Sequence, residues 1–406
     1  MLEEPEEIGR RVRRARLWLG MPQADLAAAL GRTQGWVSKV ERGQIELDRV
    51  GLLNQLAAEL HVHPNDLIGR PYNNSPEENR WQIAASAILR ELRRYDLAPV
   101  FDGTPRSARE LWREATRLHR LRDAAQNVAI LRVLPDLFRE ARALAEVSTG
   151  REREDAYAIY AVCCKFAHTA AHALGHPELV AMACDRAAWS ARLSGDRVLP
   201  AVADWMRVWD MWATADWDDA LALSDRALDG IQDAYEGGEP LAVRAWGSVQ
   251  LRAAVSAARA GRAAEAGDRI ELAREAADRL GTVPVHDRHS LTFSAGNVRI
   301  HAINVALELG HHGRALAIDR DTAPDLLAAL PGSRRGHHHM DLARAWLWDG
   351  NRDKALAQLE TAERLAPQLV RNHPVARSTL RSLVCAERMS TREKLRLMSN
   401  RFHLDA

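Results

Sequence analysis

The sequence predicts an all-α protein in which a head of short helices precedes an array of helical repeats. Ala, Leu and Arg dominate its 406 residues, and the apolar–polar alternation typical of half-buried strands is nearly absent. The first 70 residues divide into short helical segments separated by glycines, and from residue 107 onward helices recur in pairs joined by short turns. Self-similarity at an interval of about 40 to 50 residues is typical of a helical-repeat array.

Length and composition narrow the class of protein. A chain of this length forms about two or three domains. No window approaches ~18 uninterrupted apolar residues, which argues against a membrane-spanning helix, and the N-terminal stretch MLEEPEEIGRRVRR has no apolar signal core. The four cysteines fit a reduced compartment and suggest no disulfide framework. We therefore expect a cytoplasmic protein with no membrane partner.

The distribution of charge is more informative than the net charge of +1. Residues 1–7 carry four Glu, whereas residues 8–50 carry nine basic side chains against four acidic ones. A local basic stripe is the expected footprint of a phosphate-binding surface. A solvated helix face is the alternative interpretation of this charge run.

Residues 1–70 are predicted to form a domain of five short helices. Their predicted ranges are 8–19, 23–30, 34–42, 49–60 and 64–67. Gly20, Gly31 and Gly43 end the first three helices, since glycine readily adopts the left-handed conformation found at helix ends. Thr33 can cap the third helix and Asp48 the fourth, because short oxygen-bearing side chains accept hydrogen bonds from free N–H groups at a helix start.

Residues 71–106 are predicted to be a linker that contains one helix. Within its polar stretch 71–79, Ser75 and Pro76 provide an N-cap and a first helical position. The helix runs to about residue 92, and the stretch DLAPVFDGTPRS then interrupts the chain. A repeat domain over 107–390 and a C-terminal tail over 391–406 complete the predicted organisation.

The repeats are recognised by small residues at their turns and helix crossings. In the stretch GNRDKALAQLETAERLAP, Gly350, Ala355 and Ala362 occupy these positions, and Pro367 closes the unit. Close approach of neighbouring helices explains the small side chains. The five predicted turns lie at Gly175, Ala215, Gly261, Gly310 and Gly350.

Residues 8–69 resemble the lambda-repressor-like helix-turn-helix of the XRE family along their whole length. The resemblance is carried by Arg16, PQADLA (22–27), Gly31, QGWVSKVERG (34–43), LLNQLAAELHV (52–62) and PNDLIG (64–69). It implies a five-helix DNA-binding domain whose third helix lies in the major groove of double-stranded DNA. It also implies an internal salt bridge between Arg16 and Glu41.

The candidate DNA contacts cluster at the second and third helices of this domain. Gln34 suits adenine and Lys39 suits guanine, whereas Gly35 has no side chain at a position where the family reads a base. The amide of Gln23 and the adjacent free N–H groups can hold a phosphate. A helix-turn-helix retained only for protein contacts is the alternative. The full set of predicted DNA-binding residues is Gln23, Thr33, Gln34, Gly35, Trp36, Ser38, Lys39 and Arg42.

The repeat region resembles a degenerate tetratricopeptide array, and the fold class is therefore a helix-turn-helix domain followed by a tetratricopeptide-like α-solenoid. Such arrays bind ligands or partners on a concave face. Positions ten, six and three residues before each turn share one face of the first helix of each unit. They include Trp205, Trp209 and Trp212; Lys165, Thr169 and His172; Leu251, Val255 and Ala258; Ile300, Asn304 and Leu307; and Met340, Arg344 and Leu347.

This face predicts a peptide or small-molecule site, with indole rings for apolar groups, amides for a peptide backbone and basic residues for a carboxylate. Alternatively, the three tryptophans are core between stacked helices. The predicted ligand-binding residues are Lys165, Thr169, His172, Trp205, Trp209, Trp212, Asn297, Asn304 and Arg344.

Other chemistry has weaker support in the sequence. Cys164, His168, His172 and His176 recur every four residues, but such a series drifts about 120° around a helix, so we expect no metal site. No phosphate loop, HExxH, dinucleotide fingerprint or GxSxG elbow occurs. We therefore expect no cofactor and no enzymatic activity.

The order of domains resembles bacterial one-component regulators, including peptide-pheromone receptors of the RRNPP group. This resemblance implies a homodimer that binds an inverted-repeat operator, with two recognition helices about 34 Å apart and an effector in the repeats. A regulator whose repeats only dimerise or recruit a protein partner is one alternative, and a scaffold that does not bind DNA is another.

Overall fold

A computed structural model describes residues 5–45, 47, 50–62, 66–67, 76–281, 287–385, 391–402 and 404. Helices account for nearly all regular structure in these ranges, and no β-sheet forms among them. The predicted all-α fold class is confirmed. The Asp48 cap, the Ser75 cap and the stretch 71–75 lie outside the described residues, as does half of the predicted fifth helix of the head.

The head, defined here as residues 5–67, contains four described helices. They are α1 (Pro5–Trp18), α2 (Gln23–Ala29), α3 (Gln34–Glu41) and α4 (Val50–Glu59). Their apolar faces meet in one core that includes Val12, Leu26, Val37 and Leu56. A Cβ atom at Gly9 would lie 2.5 Å from the carbonyl oxygen of Val40, so glycine is what allows α1 to approach α3 this closely.

Helix α5 (Pro76–Arg93) follows the head, and its Ile88 and Leu92 are buried in the core of the first repeats. The helices that follow are α6 (Ala108–Asp123), α7 (Asn127–Val147), α8 (Gly150–Leu174), α9 (Pro177–Leu193), α10 (Leu199–Met211), α11 (Trp217–Asp229), α12 (Gln232–Glu236), α13 (Pro240–Arg259), α14 (Ala263–Leu280), α15 (Ala295–Glu308), α16 (His312–Arg320), α17 (Pro324–Ala328), α18 (Gly332–Trp348), α19 (Arg352–Leu365), α20 (Pro367–Asn372), α21 (Pro374–Cys385) and α22 (Arg392–Arg401).

All five predicted repeat turns are confirmed. Gly175, Gly261, Gly310 and Gly350 have φ values of 73°, 76°, 83° and 82°, and Ala215 has φ 60°. This left-handed conformation ends one helix and redirects the chain into the next. The pairs joined in this way are α8–α9, α10–α11, α13–α14, α15–α16 and α18–α19.

Two parts of the array were not foreseen from the spacing of turns. An additional pair, α6–α7, turns at Ala125 with φ 54°. The segment predicted as a tail contains α22, whose Leu395 and Met398 are buried in the core of the last repeats. Arg401 joins Glu363 of α19 through an Nη2–Oε2 contact of 2.7 Å, so α22 is attached to the array by both apolar and ionic contacts.

The array curls until its C-terminal helices meet its N-terminal ones. The backbone N–H of Val128 donates to Oε1 of Gln368 at 3.3 Å, and α20 packs against α8. A Cβ atom at Gly332 would lie 3.0 Å from the carbonyl oxygen of Asp123. These contacts wrap the inner helix faces around a central cavity, and that cavity contains the candidate ligand site.

Candidate DNA-recognition surface and ligand cavity

Helix α3 is held by one face and exposed on the other. The Thr33 hydroxyl accepts a hydrogen bond from the Trp36 backbone N–H at 3.2 Å and caps the helix. Val37 and Val40 are buried in the core of the head. Among the other predicted contact positions, Gln34, Gly35, Lys39 and Arg42 are exposed, and Ser38 is half-buried. The exposed face is therefore the one that carries the predicted base-reading side chains.

Position 35 has room for a side chain. A Cβ atom there would approach nothing closer than the Thr33 hydroxyl at 4.0 Å, so packing does not require glycine. The exposed face of α3 consequently has a gap between Gln34 and Ser38. Trp36 beside it is half-buried, with the guanidinium carbon of Arg32 5.7 Å from its ring centroid.

The predicted salt bridge between Arg16 and Glu41 is present. Arg16 Nε donates to Glu41 Oε1 at 2.5 Å, and Arg16 Nη1 donates to the Met21 carbonyl at 2.6 Å. Gln23 Nε2 donates to the other carboxylate oxygen of Glu41 at 2.7 Å. The Gln23 amide nitrogen is thus engaged inside the head, where a buried carboxylate needs a second donor. Any phosphate contact at α2 falls to its free backbone N–H groups.

The nine predicted ligand-binding residues all line one cavity of about 340 Å³ inside the array. They come from four helices, α8, α10 with its C-cap, α15 and α18, whose inner faces converge on this space. The residues brought together are Lys165, Thr169, His172, Trp205, Trp209, Trp212, Asn297, Asn304 and Arg344.

The three predicted tryptophans pack against neighbouring helices and also line the cavity. Trp205 is buried, and its Nε1–H donates to the Ser248 carbonyl at 3.1 Å. Trp212 is half-buried, and its Nε1–H donates to the Ser256 hydroxyl at 2.8 Å. Trp209 lies flat against the His172 ring, with the ring centroids 4.0 Å apart. The indoles are therefore oriented by partners on the neighbouring helices and present a fixed surface to the cavity.

Two asparagines in the wall differ in how well they are satisfied. Asn304 Nδ2 donates to Asp341 Oδ2 at 3.1 Å. Asn297 is 2% exposed and donates to the Thr292 carbonyl at 2.9 Å. Its Oδ1 atom has no hydrogen-bond partner among the described residues. A buried acceptor without a partner costs about 1–3 kcal/mol, and a ligand donor in the cavity would supply that partner.

Several residues that line the cavity were not predicted from the sequence, and the most important are two basic residues on α13. The predicted face of that helix contained Leu251, Val255 and Ala258. The observed lining keeps Leu251 and Val255, lacks Ala258 and adds Arg252 and Arg259. The two arginines are seven residues apart on an Ala-rich helix, and that spacing was the available signal. The other missed cations are Arg122 and Arg334.

The two ends of the cavity differ in electrostatics. At one end, Glu308 lies 3.3 Å from Arg344 Nη1 and 3.7 Å from Arg259 Nε. Burial raises the pKa of Glu308, but the two arginines outweigh burial and lower this pKa overall. At the other end, burial and neighbouring cations hold the pKa values of Lys165 and Arg252 well below their usual ranges. The cavity wall therefore carries a group of paired charges and a group of cations with no carboxylate partner among the described residues.

Helix α4 of the head lies against the end of the cavity with paired charges. Asn54 Nδ2 donates to the Trp212 carbonyl. A Cβ atom at Gly51 would lie 3.1 Å from Cγ of Arg259 and 3.5 Å from Oε2 of Glu308. The head therefore contacts the cavity wall through α4 and keeps α3 exposed.

Cys164 and His168 are buried on α8, and the rings of His168 and His172 lie 4.6 Å apart. Within the described ranges, no group of three or more His, Cys, Asp or Glu side chains has metal-binding geometry.

None of the described helices has the length and apolarity needed to cross a bilayer.

Sequence comparison supports the interpretation of the head. Residues 7–67 match the family described as Helix-turn-helix domain. The chain is also similar to the uncharacterized HTH-type transcriptional regulator y4aM of Sinorhizobium fredii (strain NBRC 101917 / NGR234), with 41% identity over 58 residues. That match covers 14% of this chain and 40% of the relative. The predicted helix-turn-helix domain is confirmed.

Two solved structures are similar over larger parts of the chain. Bacillus thuringiensis PlcR, in complex with the peptide PapR7 and DNA, aligns over 90% of this chain and 95% of its own, with 13% identity and a TM-score of 0.30. BtubC (BKLC) from P. vanneervenii aligns over 64% of this chain and 92% of its own, with 14% identity and a TM-score of 0.34. At these TM-scores, neither structure informs what this chain binds.

Proposed function

We propose that the protein is a dimeric DNA-binding transcriptional regulator whose repeat domain binds a peptide or small molecule and thereby modulates operator binding. The observation that carries this proposal is α3. It is an exposed helix within a segment matching a helix-turn-helix family, and it is fixed by buried Val37 and Val40 while Gln34 and Lys39 stay accessible.

The side chains on α3 suit a major groove. Lys39 can donate to the O6 and N7 acceptors of guanine, and Gln34 can bond the N6 and N7 edge of adenine. Arg42 Nε bonds the Ser38 carbonyl at 3.2 Å, which leaves its terminal nitrogens near the helix end for a phosphate. Exposed Arg10 and Arg13 on α1 add positive charge for the phosphate backbone, whose contacts dominate affinity.

A dimer follows from the small reading surface of one head. Helix-turn-helix dimers place two recognition helices about 34 Å apart on an inverted repeat. With no side chain at Gly35 to read a base, discrimination by one head rests on Gln34, Lys39 and adjacent contacts. Two heads at fixed spacing multiply this limited selectivity, and the repeat domain supplies the dimer contact in this proposal.

The contact of α4 with the cavity wall offers a route for ligand control. Gly51 and Asn54 lie against Glu308 and Trp212, and both of these wall residues line the cavity. A ligand that moves them changes how the head is held. By linkage, operator DNA then changes ligand affinity by the same factor. This cavity is the reason to prefer a ligand-responsive regulator over one whose repeats only dimerise or recruit a partner.

A gel-shift series with DNA from upstream of the protein's own gene tests the DNA-binding proposal. We expect salt-sensitive, sequence-preferring binding, and Lys39→Ala should lose about 1–3 kcal/mol of discrimination at one base step in each half-site. The matched control is Lys394→Ala, which removes an exposed lysine from α22 and should change neither affinity nor preference. Binding that ignores sequence, or a Lys39→Ala variant with unchanged preference, would refute the proposal.

A further inference from the structure

One end of the central cavity concentrates cationic side chains. Arg122 Nη1 and Lys165 Nζ both donate to the Ser290 carbonyl oxygen, so these two cations meet at a single atom. Lys165 Nζ lies 5.2 Å from the Trp205 ring centroid, and the guanidinium carbon of Arg252 lies 3.5 Å from the same centroid. Three basic side chains from three helices thus converge on one carbonyl and one indole.

Arg334 on α18 completes this cluster. It lines the same cavity and has no hydrogen-bond or ion-pair partner among the described residues. Its charge lowers the pKa values of both Lys165 and Arg252, after the larger effect of burial. Burial, followed by the charge of Arg122, lowers the pKa of Arg334 itself to about 10. The four basic groups therefore lie within electrostatic range of one another.

Nearby carboxylates do not neutralise this cluster. Asp123 pairs with Arg122 at 3.1 Å, and Asp287 pairs with Arg244 at 3.1 Å. Lys165, Arg252 and Arg334 have no carboxylate within ion-pair distance among the described residues. Lys165 is 3% exposed and Arg252 is 5% exposed. Burying unpaired cations side by side disfavours folding, and such arrangements are typical of binding sites.

The surroundings of the cluster constrain the rest of the ligand. The indole of Trp209 and the unpartnered Oδ1 of Asn297 share the cavity with the cations. An indole face accepts a flat or apolar group, and Oδ1 accepts a hydrogen bond from a ligand donor. The cavity therefore fits an organic molecule with a hydrogen-bond donor and a strongly anionic end.

We infer that Lys165, Arg252 and Arg334, with Arg122, form a binding site for a compact oxyanion of charge −2 or more, and that this group anchors the effector. A phosphoryl group and a pair of carboxylates share this chemistry, whereas a single carboxylate would leave most of the cluster uncompensated. Guanidinium and ammonium groups bind such oxyanions through short charge-assisted hydrogen bonds. The inference rests on the proposed function in taking this cavity as the effector site.

Inorganic pyrophosphate, inorganic phosphate and citrate are suitable probes, tested on the full chain by thermal shift and titration calorimetry. We expect pyrophosphate to bind in the millimolar range or tighter. Lys165→Met and Arg334→Gln should each weaken it about tenfold or more, since a hydrogen bond to a charged group contributes about 1.5–3 kcal/mol. Stronger binding of pyrophosphate than of citrate would identify a phosphoryl effector, and the reverse order a polycarboxylate.

The matched control is Arg299→Gln. Arg299 is a half-buried arginine of α15 that donates to Thr322 Oγ1 at 2.9 Å and does not line the cavity. This variant should keep pyrophosphate affinity unchanged. Without anion, Lys165→Met and Arg334→Gln should unfold at the wild-type temperature or above it, because each removes an unpaired buried cation. This result would distinguish a lost site from a lost fold.

Absence of pyrophosphate, phosphate and citrate binding, or binding that survives both Lys165→Met and Arg334→Gln, would overturn the inference. So would lower melting temperatures for both variants, since the cations would then be structural. Gel shifts on the same preparations separate the two proposals. Wild-type protein that binds operator DNA but no anion refutes only this inference, whereas anion binding without operator binding refutes the proposed function.

Discussion

The histidines that line the cavity predict that acid destabilises the protein. His301 lines the cavity, and its Nδ1 lies 2.8 Å from the Asn297 carbonyl oxygen. Burial, followed by the charge of Arg334, lowers the pKa of His301 to about 3. In the unfolded chain the pKa of histidine is about 6.5. Between these values the unfolded state binds a proton that the folded state does not. The free energy of unfolding is therefore unaffected by this histidine above pH 6.5 and decreases as the pH falls toward 3.

The magnitude follows from that difference. At about pH 5, a pKa of about 3 against about 6.5 corresponds to a loss of about 2 kcal/mol. Because His301 is partly exposed to solvent in the cavity, screening reduces this contribution to about 1 kcal/mol. His373, whose pKa burial lowers to about 4, contributes in the same direction. We therefore expect His301→Gln to lose less stability between pH 7.5 and pH 5 than the wild type, by about 1 kcal/mol.

Urea unfolding at the two pH values, followed by far-ultraviolet circular dichroism, measures this difference. The control is His311→Gln, which changes an exposed histidine at the start of α16 and should reproduce the pH dependence of the wild type. An equal loss of stability in His301→Gln and wild type would refute the argument. A larger loss in His301→Gln would show that the imidazole is protonated in the folded state.

Three further predictions concern the head and the array. Arg16→Ala leaves the buried carboxylate of Glu41 without its main partner, so the head should lose about 3–5 kcal/mol of stability. Hydrogen exchange in α1 to α3 measures this loss, and the control Arg10→Ala should have little effect. Gly247→Ala places a Cβ atom 1.9 Å from Phe293 Cζ, and this overpacking should destabilise the fold by about 1–3 kcal/mol. The melting temperature should therefore decrease for Gly247→Ala and stay unchanged for the control Gly267→Ala, where a Cβ atom meets nothing within 4 Å. Asn54→Ala removes the donor to the Trp212 carbonyl, and hydrogen exchange in α4 should accelerate about fivefold, as expected for about 1 kcal/mol. Unchanged exchange there would contradict docking of the head through α4.

The parts of the structure that depend on local chemistry could be predicted from the sequence. Left-handed turns favour glycine, so Gly175 and Gly261 indicated helix ends regardless of distant contacts. The cap at Thr33 and the pair of Arg16 and Glu41 likewise follow from residue types at fixed spacing. Nine of the residues that line the cavity could be predicted because residues at helical spacing share a side of their helix.

Features set by contacts between distant segments could not be predicted in this way. Which residues of α13 face inward depends on how neighbouring pairs twist, so Arg252 was missed although its neighbour Leu251 was included. The closure of the array through Val128 and Gln368 joins residues 240 positions apart. No local pattern encodes such a pairing. The engagement of Gln23 by Glu41 depends similarly on how α2 packs against α3.

The contact between α4 and the cavity wall has the strength that a reversible switch requires. A tenfold change in operator affinity needs a difference of about 1.4 kcal/mol between two states of the head. The hydrogen bond from Asn54 to Trp212 and the packing of Gly51 against Arg259 and Glu308 each contribute on the order of 1 kcal/mol. In the proposed mechanism, losing both would be enough to shift operator affinity about tenfold or more.

An effector can supply that difference only if it binds one arrangement of the wall better than the other. In the proposed mechanism, the cationic end would provide the binding energy, because an oxyanion there would compensate Lys165, Arg252 and Arg334. The end near the head would provide the response, because Arg259 and Glu308 lie against Gly51 of α4. Arg252 and Arg259 lie on the same helix, with their guanidinium carbons 5.6 Å and 4.4 Å from the Trp212 ring centroid. A shift of Arg252 toward an anion would thus disturb the indole whose backbone carbonyl accepts the bond from Asn54, and so connect effector binding to the position of the head.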